Sequence, residues 1–175
     1  KKIILSTGMS VLKEISVAIK ILTKNGTKLK DITLLQCNTE YPTKLDHINL
    51  NVLKTFKEKF KVKVGLSDHS NSLVVPCAAV AMGATTIEKH ITLSKDLNGP
   101  DHKASLEPKE LKTMIENIND IIKAMGSKEK KITLSERKNI SIARKSILAK
   151  VKIKKGELFS KHNLITKRPG NKISA

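Results

Sequence analysis

Two histidines each close an apolar run. In "GLSDHS" (65–70) His69 follows Ser67 and Asp68, and twenty-one residues later, in "ATTIEKH" (84–90), His90 follows Glu88 and Lys89. Two imidazoles with open positions between them suit Mn²⁺, Fe²⁺ or Zn²⁺. A single histidine more often caps or hydrogen-bonds, and spacing alone leaves both roles open. Glu88 has three readings: a general acid or base, a group supporting a ligand, or a plain ion-pair partner. Ser6, Thr7 and Ser67 offer hydroxyls and the backbone near Gly8 offers N–H groups, donors of the kind that cradle a phosphate. "NGPDHKASLEP" (98–108) is dense in functional groups, with Asp101, His102 and Lys103. It reads either as a surface crossover or as a functional loop. Tyr41 precedes Pro42 and could simply stiffen its loop.

These residues need elements to hold them. "KIILS" (2–6), "ITLLQC" (32–37), "VKVGLS" (62–67) and "ATTIEKH" (84–90) read as short buried strands. Between them lie helical patterns. Ser10 is the expected cap of a helix through Asn25, with Val11, Ile15, Ala18, Ile19 and Leu22 at helical spacing and Gly26 as the stop. Residues 49–60 place Leu50, Leu53 and Phe56 on one side. Residues 73–83 form an apolar helix with Pro76 in its first turn. Pro108 opens a helix striped by Leu111, Ile115, Ile118 and Ile122 and closed by Gly126. Four strand–helix units in a row imply a parallel sheet covered by helices, either doubly wound or half of a (β/α)8 barrel. In such folds reactive groups collect at the C-terminal strand ends. Here those ends carry Ser6, Asn38 to Tyr41, Ser67 to His69 and Glu88 to His90. Residues 127–145 read as a polar linker followed by a short basic helix from Ser135. Residues 146–175 read as the start of a small β-rich domain.

Composition narrows the class. The 175 residues carry a formal charge of +18. Residues 126–175 hold 15 Lys+Arg against 3 Asp+Glu, and residues 1–125 hold 19 against 13, so the basic excess is C-terminal. Arginines are few (Arg137, Arg144 and Arg168) and aromatics scarce. Nucleic-acid binding is therefore disfavoured for lack of a stacking platform, and solvated lysine faces are the default. No apolar run approaches the ~20 residues of a membrane span, and no signal peptide is recognisable. The chain lacks an initiating Met, as a fragment or a processed start would. Cys37 and Cys77 lie on apolar segments without metal-type spacing, as buried reduced thiols of a cytoplasmic protein.

The segments "ILSTGMS", "YPT", "GLSDHS", "GATTIEKHITL", "GPDHKASLEP" and "KRPGN", in this order, resemble the N-acetylneuraminate (sialic acid) synthase family, which includes the legionaminic and pseudaminic acid synthases. The resemblance spans essentially the whole chain. It implies a (β/α)8 (TIM) barrel followed by a C-terminal antifreeze-like (SAF) domain. Residues 1–126 would then be the second half of the barrel, 127–145 a linker with a short helix, and 146–175 the start of the SAF domain. The implied reaction is a carbon–carbon bond-forming transfer. Phosphoenolpyruvate condenses with the open-chain aldehyde of an N-acylated mannosamine-type sugar, giving a nine-carbon 2-keto acid and phosphate. The implied cofactor is a divalent ion, Mn²⁺ or Mg²⁺.

Residue by residue, the resemblance makes His69 and His90 the metal ligands. Ser67 and Ser6 hold the phosphoenolpyruvate phosphate and carboxylate. Thr39 stands where the family often carries Ser or Asn against the phosphate, a departure that leaves neighbouring Asn38 as the alternative. Tyr41 contacts the sugar, Glu88 lies beside metal and sugar, and Asp101 hydrogen-bonds the sugar hydroxyls. Arg168 corresponds to an arginine that reaches the barrel of the partner subunit and contacts the N-acyl group, which implies a domain-swapped homodimer. Two other classes stand beside this one. A different phosphoenolpyruvate-condensing barrel would lack the C-terminal segment "KKGELFSKHNLITKRPG". A basic binding module would be indifferent to chelators and to loss of His90. The 175-residue piece alone, with open strand edges, is expected to self-associate and be inactive.

Overall fold

The computed structural model describes residues 1–175, which divide into two compact units, Lys1–Gly126 and Ser127–Ala175. The first unit alternates strand and helix: β1 (Ile3–Ser6), α1 (Leu12–Lys24), β2 (Ile32–Cys37), α2 (Val52–Phe60), β3 (Lys63–Asp68), α3 (Val74–Ala81), β4 (Thr86–Lys89) and α4 (Pro108–Met125). The four strands are parallel and lie in chain order, β1-β2-β3-β4. One face of this sheet carries the core. Ile32 and Leu34 of β2 and Val64 and Leu66 of β3 pack against Ile15 and Ile19 of α1, Leu53, Phe56 and Phe60 of α2 and Ala79 of α3. A doubly wound sheet needs helices on both faces. Here they cover one face of a curled sheet, the arrangement of half a barrel.

Strand alternation sends the other residues to the opposite face. There Ser6, Leu35, Gly65 and Thr86 form one row across the sheet, and Cys37, Ser67 and Glu88 the next. Gly65 is required in the first row. A Cβ there would sit 2.5 Å from Leu35 Cδ2 and 2.5 Å from the Thr86 carbonyl oxygen. Without it Leu35 lies across β3, fully buried.

The helix ends differ from the sequence expectation in instructive ways. Val11, not Ser10, caps α1, because Glu14 turns back to accept the Val11 N–H at 2.8 Å while the Ser10 hydroxyl donates weakly to the Gly8 carbonyl. Gly26, at a φ of +91°, ends the helix as expected, and the Thr27 N–H returns to the Leu22 carbonyl. Helix α2 starts three residues later than the pattern suggests, since Asn49 is left-handed, and it stops at left-handed Lys61. On α4, Glu110 accepts the Glu107 N–H and closes the first turn behind Pro108. Of its apolar stripe, Ile115 and Ile122 are about half exposed, and Met114 is the residue that buries.

In the second unit, Thr133 rather than Ser135 begins the helical stretch, since its hydroxyl accepts the Glu136 N–H. The expected single basic helix is two short ones, α5 (Leu134–Arg137) and α6 (Ile140–Ala143). Two antiparallel strands follow, β5 (Ser146–Ala149) and β6 (Leu164–Lys167). Ser146 is fully buried. Its hydroxyl donates to the Pro169 carbonyl at 2.8 Å and accepts the Lys172 N–H, and the Gly170 N–H reaches the Ser141 carbonyl. The segment 168–170 is thereby fixed on its own unit.

Candidate functional site

The motifs "SDH" and "EKH" are two sides of one ladder. The register of β3 with β4 pairs Ser67 with Glu88 and Asp68 with Lys89. Alternation then assigns their directions. Ser67 and Glu88 face away from the helices, and the Ser67 hydroxyl donates to the Glu88 carboxylate at 2.6 Å. Asp68 and Lys89 face the helices and form an ion pair at 2.8 Å, with side-chain exposures of 1% and 3%. His69 and His90 follow as the first residues beyond the strands. Their rings meet edge to face with centroids 5.1 Å apart. Strand β4 ends at Lys89, one residue earlier than expected. His90 is held outside it because its carbonyl accepts the Leu106 N–H at 2.9 Å.

His69 is buried and tied at several points. Its Nδ1 donates to the Asn38 carbonyl at 2.7 Å, and its own carbonyl accepts the Thr43 N–H. With Nδ1 taken, Nε2 is the nitrogen left to act as a ligand. His90 is about one-third exposed, and its Nδ1 lies 3.9 Å from an Asp101 carboxylate oxygen. No three His, Cys, Asp or Glu side chains converge into a closed cage. Two imidazoles are donors that a divalent transition metal accepts, one short of the three protein ligands usual in catalytic sites, so an ion held here would take its remaining positions from water or substrate.

Tyr41 packs against both rings, tilted at 4.1 Å from His69 and edge-on at 5.4 Å from His90. Partial burial raises its phenol above the ordinary value, and the fields of Cys37, Asp101 and Glu88 push it the same way. The phenol therefore stays a neutral donor beside both carboxylates. The loop after β4 runs exposed through residues 97–101 and folds inward only at its end. His102 Nδ1 meets the Thr92 hydroxyl at 2.7 Å, the Ser105 hydroxyl donates to the Asp101 carbonyl, and Ala104, Ser105 and Leu106 are buried. These contacts leave the Asp101 carboxylate exposed toward His90.

Of the residues singled out by sequence, Tyr41, Ser67, His69, Glu88, His90 and Asp101 come together. Ser6 stands exposed at the end of β1 on the same face, in the row below Ser67. Thr39 is exposed, and Gly8 lets the turn after β1 pass against it: a Cβ on Gly8 would lie 2.7 Å from Thr39 Cγ2. The Asn38 side chain accepts the Glu40 N–H and so shapes its own loop, while its carbonyl serves His69. The buried Thr7 hydroxyl is engaged with the Leu35 carbonyl at 2.7 Å. Cys37 is half-buried, on the row of Ser67 and Glu88, so only Cys77 is the buried thiol expected. Arg168 belongs to the second unit, directly after β6. Sequence reasoning missed the Asp68–Lys89 pair. The constant offset of 21 that relates Ser67 to Glu88 and Asp68 to Lys89 was the available signal.

Comparison with known proteins agrees with this architecture. The NeuB family model matches residues 1–130, and the chain belongs to that family. It is 57% identical over all of its 175 residues to the N,N'-diacetyllegionaminic acid synthase of Campylobacter jejuni, of which it covers 52%. It is 41% identical over 98% of its length to the enzyme of the same name from Legionella pneumophila, covering 49% of that protein. The solved N-acetylneuraminic acid (sialic acid) synthetase of Leptospira borgpetersenii superposes with a TM-score of 0.71 at 36% identity, over 79% of this chain and 48% of that one. The chain thus spans about half the length of the curated relatives it matches.

Proposed function

We propose that this chain supplies the metal-binding and sugar-binding side of a synthase that condenses phosphoenolpyruvate with an N-acylated mannosamine-type sugar. The observation that carries the reading is the edge-to-face pair of His69 and His90 on adjacent strand ends, with Tyr41, Glu88 and Asp101 around it. Bound there, Mn²⁺ or Mg²⁺ would supply Lewis acidity toward the sugar's aldehyde oxygen. His69 Nε2 and His90 hold the ion. Ser67 orients the Glu88 carboxylate through its 2.6 Å hydrogen bond, beside the reacting carbons. The Ser6 hydroxyl and the turn carrying Asn38 and Thr39 face the phosphoenolpyruvate carboxylate and phosphate. Asp101 and the neutral Tyr41 phenol orient the sugar hydroxyls.

C3 of phosphoenolpyruvate forms the new bond to the aldehyde carbon, and water adds to C2. The tetrahedral centre then releases phosphate to leave the 2-keto acid. The four strand–helix units are the second half of a (β/α)8 barrel, and residues 146–175 open an SAF domain. Arg168 serves the partner's sugar site in a homodimer. Identity with two diacetyllegionaminic acid synthases favours 2,4-diacetamido-2,4,6-trideoxymannose over N-acetylmannosamine as the sugar.

The test follows phosphate release from phosphoenolpyruvate by the intact protein with Mn²⁺ and each sugar in turn. Release with the diacetamido sugar, abolished by chelation and by His90→Ala, is the expected result. A folded protein that releases phosphate with neither sugar overturns the assignment.

A further inference from the structure

Lys89 sits inside the "EKH" motif yet points away from His90. Its ammonium is buried on the helix-covered face, where it donates to the Asp68 carboxylate at 2.8 Å and to the Ser70 carbonyl. The other Asp68 oxygen accepts the Ser70 N–H at 2.9 Å. Residues 68 and 70, which flank His69, are therefore both tied to the residue that precedes His90. No buried side-chain polar atom in the molecule lacks a partner, so this network is fully satisfied. A buried ion pair gives little net stability, because desolvation offsets the attraction. What it does give is a fixed geometry between the groups it joins.

We infer that Asp68 and Lys89 are positioning residues: their buried ion pair locks the two strand ends together and sets the separation of the His69 and His90 imidazoles for metal binding. The inference rests on the metal reading of those histidines. The cross-strand arrangement supports it directly. One rung of the ladder holds Ser67 to Glu88, the next holds Asp68 to Lys89, and the imidazoles stand on the third, which has no hydrogen bond of its own between the two side chains. The Asn38 carbonyl fixes only the His69 side. The Leu106 N–H holds the His90 backbone and Tyr41 packs against both rings, and the rung beneath is the polar contact that joins the two strand ends directly.

Mn²⁺ binding to the intact protein tests this, read from the free-ion electron paramagnetic resonance signal without any substrate. The parent protein binds Mn²⁺, and His69→Ala/His90→Ala does not. Lys89→Met leaves a buried carboxylate unpaired and can unfold the sheet edge. Asp68→Asn/Lys89→Met removes both charges and keeps the acceptor for the Ser70 N–H, so it retains the fold. Both variants are expected to bind Mn²⁺ about 10- to 100-fold more weakly, the usual effect of losing a group that orients a metal ligand. The doubly substituted protein should still melt cooperatively near the parent's temperature. A folded double variant that binds Mn²⁺ as the parent does overturns the positioning role and leaves the metal site standing. A parent whose Mn²⁺ binding is absent or indifferent to the histidines overturns both.

Discussion

At the scale of single residues, direction matters more than type. Serine, aspartate and histidine are adjacent in "SDH", but the pleat sends Ser67 to the open face and Asp68 to the core face. His69 then turns out beyond the strand end. The same holds for Glu88, Lys89 and His90. Asn38 looked like a ligand contact from its side chain, and its carbonyl is what serves His69. Tyr41 gives a direct test of the crowding at this site. It is the only tyrosine of these 175 residues, and subtracting the absorbance of Tyr41→Phe isolates its phenolate in the intact protein. Its phenol is held above the ordinary value by burial first, then by Cys37, Asp101 and Glu88. Alkaline titration should therefore show ionisation later than for tyrosine in the unfolded chain, and Asp101→Asn should move the midpoint back down. A group whose folded pKa is raised favours the fold below its unfolded value and loses that contribution as pH rises through the folded one. The stability of the parent should accordingly fall at strongly alkaline pH. A midpoint unmoved by Asp101→Asn removes the carboxylate from the neighbourhood of the phenol.

At the scale of elements, helix starts are decided by carboxylates that reach back. Glu14 does this for α1, Glu110 for α4 and Glu136 for α5. Glu110 is the most engaged. Lys95 donates to it at 2.6 Å, and the Glu107 N–H adds a second bond. The Lys95 hydrogen bond, followed by that of Glu107, depresses its carboxyl below the ordinary value. A depressed carboxylate stabilises the fold above its unfolded pKa, and that stability is lost as pH falls through the folded one. Glu110→Gln should lower stability at neutral pH by about 0.5–1 kcal/mol, the range of an ion pair about one-third exposed with a cap contact. It should also flatten the acid limb of a stability–pH profile measured by denaturant unfolding. An acid limb identical to the parent's removes Glu110 as a source of the pH dependence. This contact also ties the loop after β4, through Lys95, to the start of α4.

At the scale of the molecule, the first unit has its apolar cluster on one face of its sheet, while on the other Leu35 is buried without such a cluster around it. β1 and β4 are edges, each paired on one side only. On the open face Ile4 is 58% exposed, and on α4 Ile115, Ile122 and Met125 are about half exposed. Unpaired strand edges beside exposed apolar side chains recruit further chains. The isolated 175-residue chain should therefore sediment as oligomers or aggregates and show no condensing activity. A monodisperse monomer that melts cooperatively contradicts this. The second unit carries most of the net positive charge, and its 168–170 segment is pinned by Ser146 and Ser141. Arg168 thus projects from a fixed turn.

The sequence by itself determined the alternation of four strands and four helices, the polar character of every strand end, and the motifs that mark the family. These follow from hydrophobic period and local residue chemistry, which the chain carries in order. Most strand boundaries were legible to within a residue or two, since β2 matches its apolar run end to end. Helix starts were read less well, because Ser10 and Ser135 are good caps by type, and Glu14 and Glu136 instead capped the residues three before them, Val11 and Thr133. The choice between a doubly wound sheet and half a barrel was decided only in three dimensions, by which face the helices cover. So was the pairing of "SDH" with "EKH". Register is a relation between strands, set by packing of Gly65 against Leu35 and Thr86 and by the buried Asp68–Lys89 pair, and no single strand encodes it.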